Sequence, residues 1–189
     1  MIPAGYMAKR VALRPDWLAV ARVVDIHSVS GCMSEAFADY INFWKHNGWW
    51  LFDSPQVILG LAKEHSLDLT GTQLFYYEVY ELEYDADEKS WKPFAPEASF
   101  VTRVQAPATK RLEGYDVVAY SAHTGPECSP LSCNHLAATV ETNEHCLLPS
   151  FDTAKALLEE GRFDDTEPGP FRIVAVYSVT WPVGTTGRM

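Results

Sequence analysis

The residues best equipped for chemistry fall in one stretch, Cys128 to Cys146. It holds three of the chain's four cysteines beside His135, His145, Glu141 and Glu144. Ser129-Pro130 has the form of a helix cap followed by proline at the first helical position. Cys128 then precedes the cap and Cys133 is the fourth helical residue, positions whose side chains normally touch. The spacing therefore predicts that these two thiols are neighbours. Three chemistries follow from that. The pair can be a small apolar staple. It can be half of a zinc site completed by Cys146 with His135 or His145, although Cys-x4-Cys is wide for such a site and His145-Cys146 can hardly both ligate from one strand. It can be a reactive thiol pair with Cys128 acidified by the helix N-terminus, an effect that Glu127 opposes. Cys32, which follows a strand at Gly31, reads as packing.

Two other groups stand out. Glu78 lies on a strand face otherwise built from Tyr76, Tyr80, Leu82 and Tyr84, so its carboxylate must be paired, protonated or open to a cleft. Trp44, Trp49, Trp50 and Phe52 form an aromatic group able to pack in a core or to stack on a flat ring. His27 closes a Val- and Ile-rich run beside Ser28 and Ser30. No Walker, dinucleotide-fingerprint, zinc-protease or nucleophile-elbow pattern is present.

A chain of 189 residues with 47% hydrophobic and 13% aromatic content can bury a full core as one domain. We place that domain at residues 1–182 and a flexible tail at 183–189. The net charge of −10 argues against general nucleic-acid binding, which needs clustered Lys and Arg, and suits a basic protein partner. The N-terminus lacks the apolar core of a secretory signal, and no apolar run reaches the ~18 residues of a membrane span. The expected setting is cytoplasmic, with reduced cysteines.

Periodicity supplies the elements that position these groups. Ala21 to Val29 reads as a strand. Ser34 then caps a helix carrying Phe37, Ile41 and Trp44. Trp49 to Asp53 reads as a short strand, and Ser54-Pro55 opens a helix with Val57, Ile58, Leu61 and Ala62 on one side. Leu74 to Asp85 reads as a long strand, with Trp91 to Phe94 returning as a hairpin. Tyr115 to Ser121 and His145 to Leu148 are further strands, Ser150 caps a helix ending near Gly161, and Phe171 to Trp181 alternates cleanly. No internal repeat is visible. The expected fold is a single α+β domain, a mostly antiparallel sheet with about four short helices.

In this order the parts resemble the ADP-ribosyltransferase fold of the His-Tyr-Glu type. His27-Ser28 is similar to that family's His motif at the end of its first strand. Asn47-Gly48-Trp49-Trp50-Leu51-Phe52-Asp53-Ser54-Pro55 is similar to the segment that opens its next helix, with Trp or Phe where the family has Tyr. Phe75 to Glu83 and Gly114 to Val118 resemble later strands. Asn143-Glu144-His145-Cys146-Leu147-Leu148 resembles the strand that supplies the family's glutamate. The resemblance implies NAD as substrate, with His27 and Ser28 at the ribose and Trp50 or Phe52 stacking nicotinamide. Glu144 would stabilise the oxocarbenium-like transition state as the glycosidic bond breaks.

Overall fold

The centre of the sheet is built from two strands buried on both faces. They are β5 (Gln73–Val79) and β9 (Phe171–Val179), which pair antiparallel with Tyr77 opposite Val176. The computed structural model describes residues 1–39, 45–94, 103–120 and 126–182. The outer side of β5 pairs with β1 (Ile2–Arg10), and the outer side of β9 pairs with β8 (Arg111–Ala119). The chain is thus an α+β domain with an antiparallel sheet. Short strands extend it. β2 (Ala12–Leu13) pairs with β3 (Asp25–Ile26), β4 (Glu35–Ala36) lies along β1, and β6 (Leu82–Asp85) with β7 (Ser90–Pro93) forms the expected hairpin beside β9. Three α-helices occur among the described residues: α1 (Pro55–His65), the single turn α2 (Pro130–Cys133) and α3 (Phe151–Glu159). A 3-10 turn covers Leu136–Ala138. No helix among the described residues is long and apolar enough to cross a membrane.

The fold contains a repeat that the sequence reading missed. The order strand, asparagine turn, capped helix, strand occurs twice, as β1–α1–β5 and as β8–α3–β9. Gly5 and Gly114 both have positive φ, 145° and 147°, beside a shift in strand register. The Nδ2 of Asn47 donates to the carbonyl of Ala4 at 2.8 Å, and that of Asn143 to the carbonyl of Glu113 at 2.5 Å. Each asparagine Oδ1 accepts two backbone N–H groups, from Trp49 and Leu51 in one turn and from His145 and Leu147 in the other. Trp50 and Cys146 each take the left-handed conformation. Tyr6 bridges to Phe52, and Tyr115 to Leu148. The helices end alike, with Ser66 or Gly161 left-handed and the next backbone N–H bonded five residues back, a Schellman closure. A pseudo-dyad through the Tyr77–Val176 pair relates the halves.

That duplication corrects several local expectations. Trp49 to Asp53 and His145 to Leu148 are the two turns, joined to the sheet by single bridges. Ala21 to Val29 contributes strand only at Asp25 and Ile26. Ser34 leads into β4, not a helix, and Phe37 is buried against Phe52. Ile41, Trp44 and the 183–189 tail lie outside the described residues.

The longer loop after β1 leaves its own half. Leu18, Val20, Val23 and Ile26 are buried in the second core, with Val117, Leu131, Leu148 and Phe163. Arg22 fixes this crossing by donating to the carbonyls of Ala137, Val140 and Thr142. The interest of this loop is what it carries, His27 and Cys32.

Glu78 proves to be paired. It accepts from the hydroxyls of Tyr76 and Tyr177, at 3.2 and 2.8 Å, and from Lys110, which also lies over the Tyr177 ring. Burial alone would raise its pKa, but these donors outweigh burial and hold it below the ordinary value.

Candidate functional site

Two clusters of reactive side chains form where the crossing loop meets the second half. The first is organised by two buried charges. Lys9 of β1 donates from Nζ to the carbonyls of Ser28, Val29 and Ser30, at 2.8, 3.0 and 2.5 Å. Asp116 of β8 accepts from the Ser28 hydroxyl at 2.7 Å and the Val29 N–H at 3.1 Å. The same carboxylate accepts from the Ser129 hydroxyl at 2.6 Å. Asp116 therefore holds the loop before Cys32 and the start of α2 together. This explains why Ser129, though at the cap position, makes no side-chain cap.

The result is a trio of thiols. The sulfurs of Cys32, Cys128 and Cys133 all lie within 4.8 Å of one another. The predicted contact of Cys128 with Cys133 is present. Cys32, expected to be packing, joins them, because Asp116 ties its loop to α2. Its Sγ donates to the carbonyl of Glu127 at 2.9 Å. Cys146 and His135 do not belong to this group. Cys146 is buried in the second core, and the His135 ring packs tilted against Trp17. Burial pushes the Cys128 thiol up to about 12. The hydrogen bond to Cys133, together with burial, pushes Cys32 further up. Cys32 is exposed, Cys133 half-buried and Cys128 buried, so the trio opens to solvent on the Cys32 side.

The second cluster surrounds His27. The backbone N–H groups of Val24 and Asp25 donate to the carbonyl of Glu144, and that of His27 donates to the carbonyl of His145. This ladder brings the crossing loop against the Asn143 turn. The two imidazoles stack, with centroids 4.0 Å apart and planes within 10°. Asp25 Oδ1 lies 2.7 Å from His145 Nδ1 and 3.4 Å from His27 Nε2. Burial, then the neighbouring His145, pulls the His27 pKa below its ordinary value. His145 Nε2 faces Glu113 at 3.5 Å and Glu144 at 3.6 Å.

The residues that the family resemblance grouped are thus divided. His27 and Glu144 lie on adjoining backbone, with the Glu144 side chain 68% exposed. Ser28 is buried and committed to Asp116 and Ser30. Trp50 and Phe52 belong to the other asparagine turn. Trp50 stacks on His46, and Phe52 is buried against Phe37. The first turn bridges β1 at Tyr6 and the second bridges β8 at Tyr115, so the two join opposite sides of the four main strands. Beside the first turn is a separate cleft of about 470 Å³, lined by Tyr6, Asp53, Gln56, Arg103, Gln105 and Thr180 among others. Sequence spacing could not have placed Asp25 or Glu113 near His145. Their proximity depends on the loop crossing and on the register shift that makes Glu113 the extra residue of β8. No protein-family model, curated protein or solved structure matches this chain, so its chemistry is read from its own geometry.

Proposed function

We propose that this protein binds zinc or a similar thiophilic ion through Cys32, Cys128 and Cys133. The observation that carries this reading is the convergence of three thiols from separate chain positions within 4.8 Å. Tetrahedral zinc with bonds of about 2.3 Å sets sulfurs about 3.8 Å apart. The three sulfurs, within 4.8 Å of one another, lie near that spacing. The exposed side of Cys32 leaves the fourth position to water or an external ligand, as in zinc sites that do chemistry. The ion would also fasten the crossing loop to α2.

Purified protein should carry zinc at one equivalent. Cobalt substitution should give a thiolate-to-metal charge-transfer band. Cys32→Ser or Cys133→Ser should each weaken binding by at least about 100-fold, the upper end of what even an outer partner contributes. Each thiol must lose a proton to bind, so affinity falls as pH falls, by up to about 1,000-fold per pH unit when three protons leave. Metal-free protein that takes up no zinc, or binding unchanged in Cys32→Ser, would defeat the reading.

A second reading, cleavage of the glycosidic bond of NAD, is favoured by the adjoining positions of His27 and Glu144. It has to dispense with Trp50 and Phe52 as the nicotinamide stack. NAD should then raise the melting temperature of the wild type and not of Glu144→Gln. No shift with NAD removes this reading and leaves the zinc site untouched.

A further inference from the structure

The His27 ring is 4% exposed, and among the described residues neither of its nitrogens makes a well-formed hydrogen bond, Asp25 standing off at 3.4 Å. Buried polar atoms are rarely left so, and such an orphan points to a group that completes it. The surroundings of His27 say which kind of group. Asp25 Oδ1 lies 3.4 Å from Nε2, and it is shared with His145. Glu113 and Glu144 lie on the far side of the His145 ring, and one cation, Arg111, pairs with Glu113 at 2.8 Å. Beside the two imidazoles, three carboxylates and one guanidinium carry a net charge of about −2. That field repels phosphates and carboxylates and attracts a divalent cation.

We propose that Asp25, His27 and His145 form a second metal site, for a divalent transition ion such as nickel or zinc. The candidate ligand atoms all lie within 4.8 Å of one another. Two imidazoles and a carboxylate are the donor set such ions prefer, and they contrast with the all-sulfur trio. Parallel rings do not aim their lone pairs at one point, so uptake requires one ring to swing. His145 is the freer of the two, while its backbone stays fixed by Asn143. With Nδ1 on the ion, its Nε2–H would donate to Glu113, the outer carboxylate that commonly orients a metal-bound histidine. The pseudo-dyad offers a comparison. The first-half counterparts of His145 and Glu113 are Trp49 and Ala4 by position relative to the repeated turn and glycine. The ligands thus belong to one half only, the half that receives the crossing loop.

The site rests on observations independent of the thiols, and its test separates the two. In protein carrying Cys32→Ser and Cys133→Ser, nickel chloride should bind at one equivalent in calorimetry. The paramagnetic ion should broaden the His27 and His145 ring resonances before those of His46, His65 and His135. Asp25→Asn and His145→Gln should each weaken binding by at least about 100-fold. The broadening experiment on the wild-type chain preloaded with one equivalent of zinc serves if the double variant fails to fold. Unsaturable uptake, broadening spread evenly over all histidines, or binding indifferent to Asp25→Asn would overturn the proposal. Any of these results leaves the cobalt–thiolate band as the separate measure of the first site.

Discussion

Replacing Gly114 by alanine should lower stability by about 3–5 kcal/mol. A backbone in a sparsely allowed region costs about 1–3 kcal/mol for a residue with a side chain, and overpacking adds about 1–3 kcal/mol. Both apply here. At φ 147°, the new Cβ would sit 2.7 Å from the Leu147 Cβ, 2.9 Å from the Leu148 carbonyl oxygen and 3.0 Å from the Asn143 Nδ2. The carbonyl belongs to the backbone bridge with Tyr115 and cannot turn aside. The amide is the one that closes the turn on Glu113. At about 2–4 °C per kcal/mol for a chain of this size, the melting temperature should fall by about 6–20 °C. Gly5→Ala should do the same, because its Cβ would meet Leu51, the Phe52 carbonyl and Asn47 at 2.7, 2.8 and 3.1 Å. Equal losses at the two sites are what a pseudo-dyad demands. Gly60→Ala is the opposing control. Gly60 lies inside α1 with nothing within 4 Å of its missing Cβ, so alanine there should gain about 0.5–1 kcal/mol. Urea denaturation of the three variants gives all three signs. A neutral Gly114→Ala would mean the turn is not packed as described.

The same residues show what the sequence could reveal. β9 and α3 are legible because their signals are local: strict alternation in one, and in the other Ser150 Oγ accepting from Thr153 N–H. β1 is not, although it pairs with β5 along nearly its whole length. Pro3, Gly5, Lys9 and Arg10 break its pattern. Gly5 is needed for close approach to the first turn, and Lys9 is inside because three carbonyls surround it. The duplication rests on few shared residues. Gly-Tyr at 5 and 114, Asn-x3-Leu at 47 and 143, and Ser at 54 and 150 recur, separated by loops of unequal length. Those loops hide the correspondence from any fixed period. The aromatic run from Trp49 to Phe52 suggested a strand, yet Asn47 accepts two N–H groups that a strand would have given to its neighbours. Cys128 and Cys133 were readable as a pair from the cap. Cys32 was not, because its link to them runs through Asp116, far from both in sequence. His27 was noticed for its place after a strand, but what distinguishes it is a buried ring whose nitrogens make no well-formed hydrogen bond among the described residues, a property no sequence displays.

Lys9→Met should cost about 3–5 kcal/mol, the loss typical when one partner of a buried charge arrangement is removed. Methionine fills nearly the same volume, so the effect is electrostatic and not a cavity. Three carbonyls at residues 28–30 would lose their donor, and the fully buried Asp116 would lose the charge that balances it. Burial raises the Asp116 pKa, while Ser129, Ser28, Val29 and Lys9 oppose that rise. Adding Asp116→Asn should therefore recover part of the loss, because the amide carries no charge to strand. The double-mutant coupling should fall in the range of about 0.5–3 kcal/mol found for groups that share a network. A strictly additive pair would show that Lys9 and Asp116 act separately. The pH dependence gives a second readout. Burial pulls Lys9 down to about 7 from its ordinary 10.5, against the favourable charge of Asp116. Between those values the unfolded chain binds more protons than the folded one, so Lys9 makes stability rise with pH. The contribution is lost as pH falls through 7. The wild type should gain up to about 1.4 kcal/mol per pH unit from this group between pH 7 and 9, and Lys9→Met should lack that slope. The clamp also sets the thiols, since the 28–30 loop precedes Cys32 and Ser129 follows Cys128. Weakened zinc binding in Lys9→Met protein that is still folded would tie the buried charges to the metal site they position.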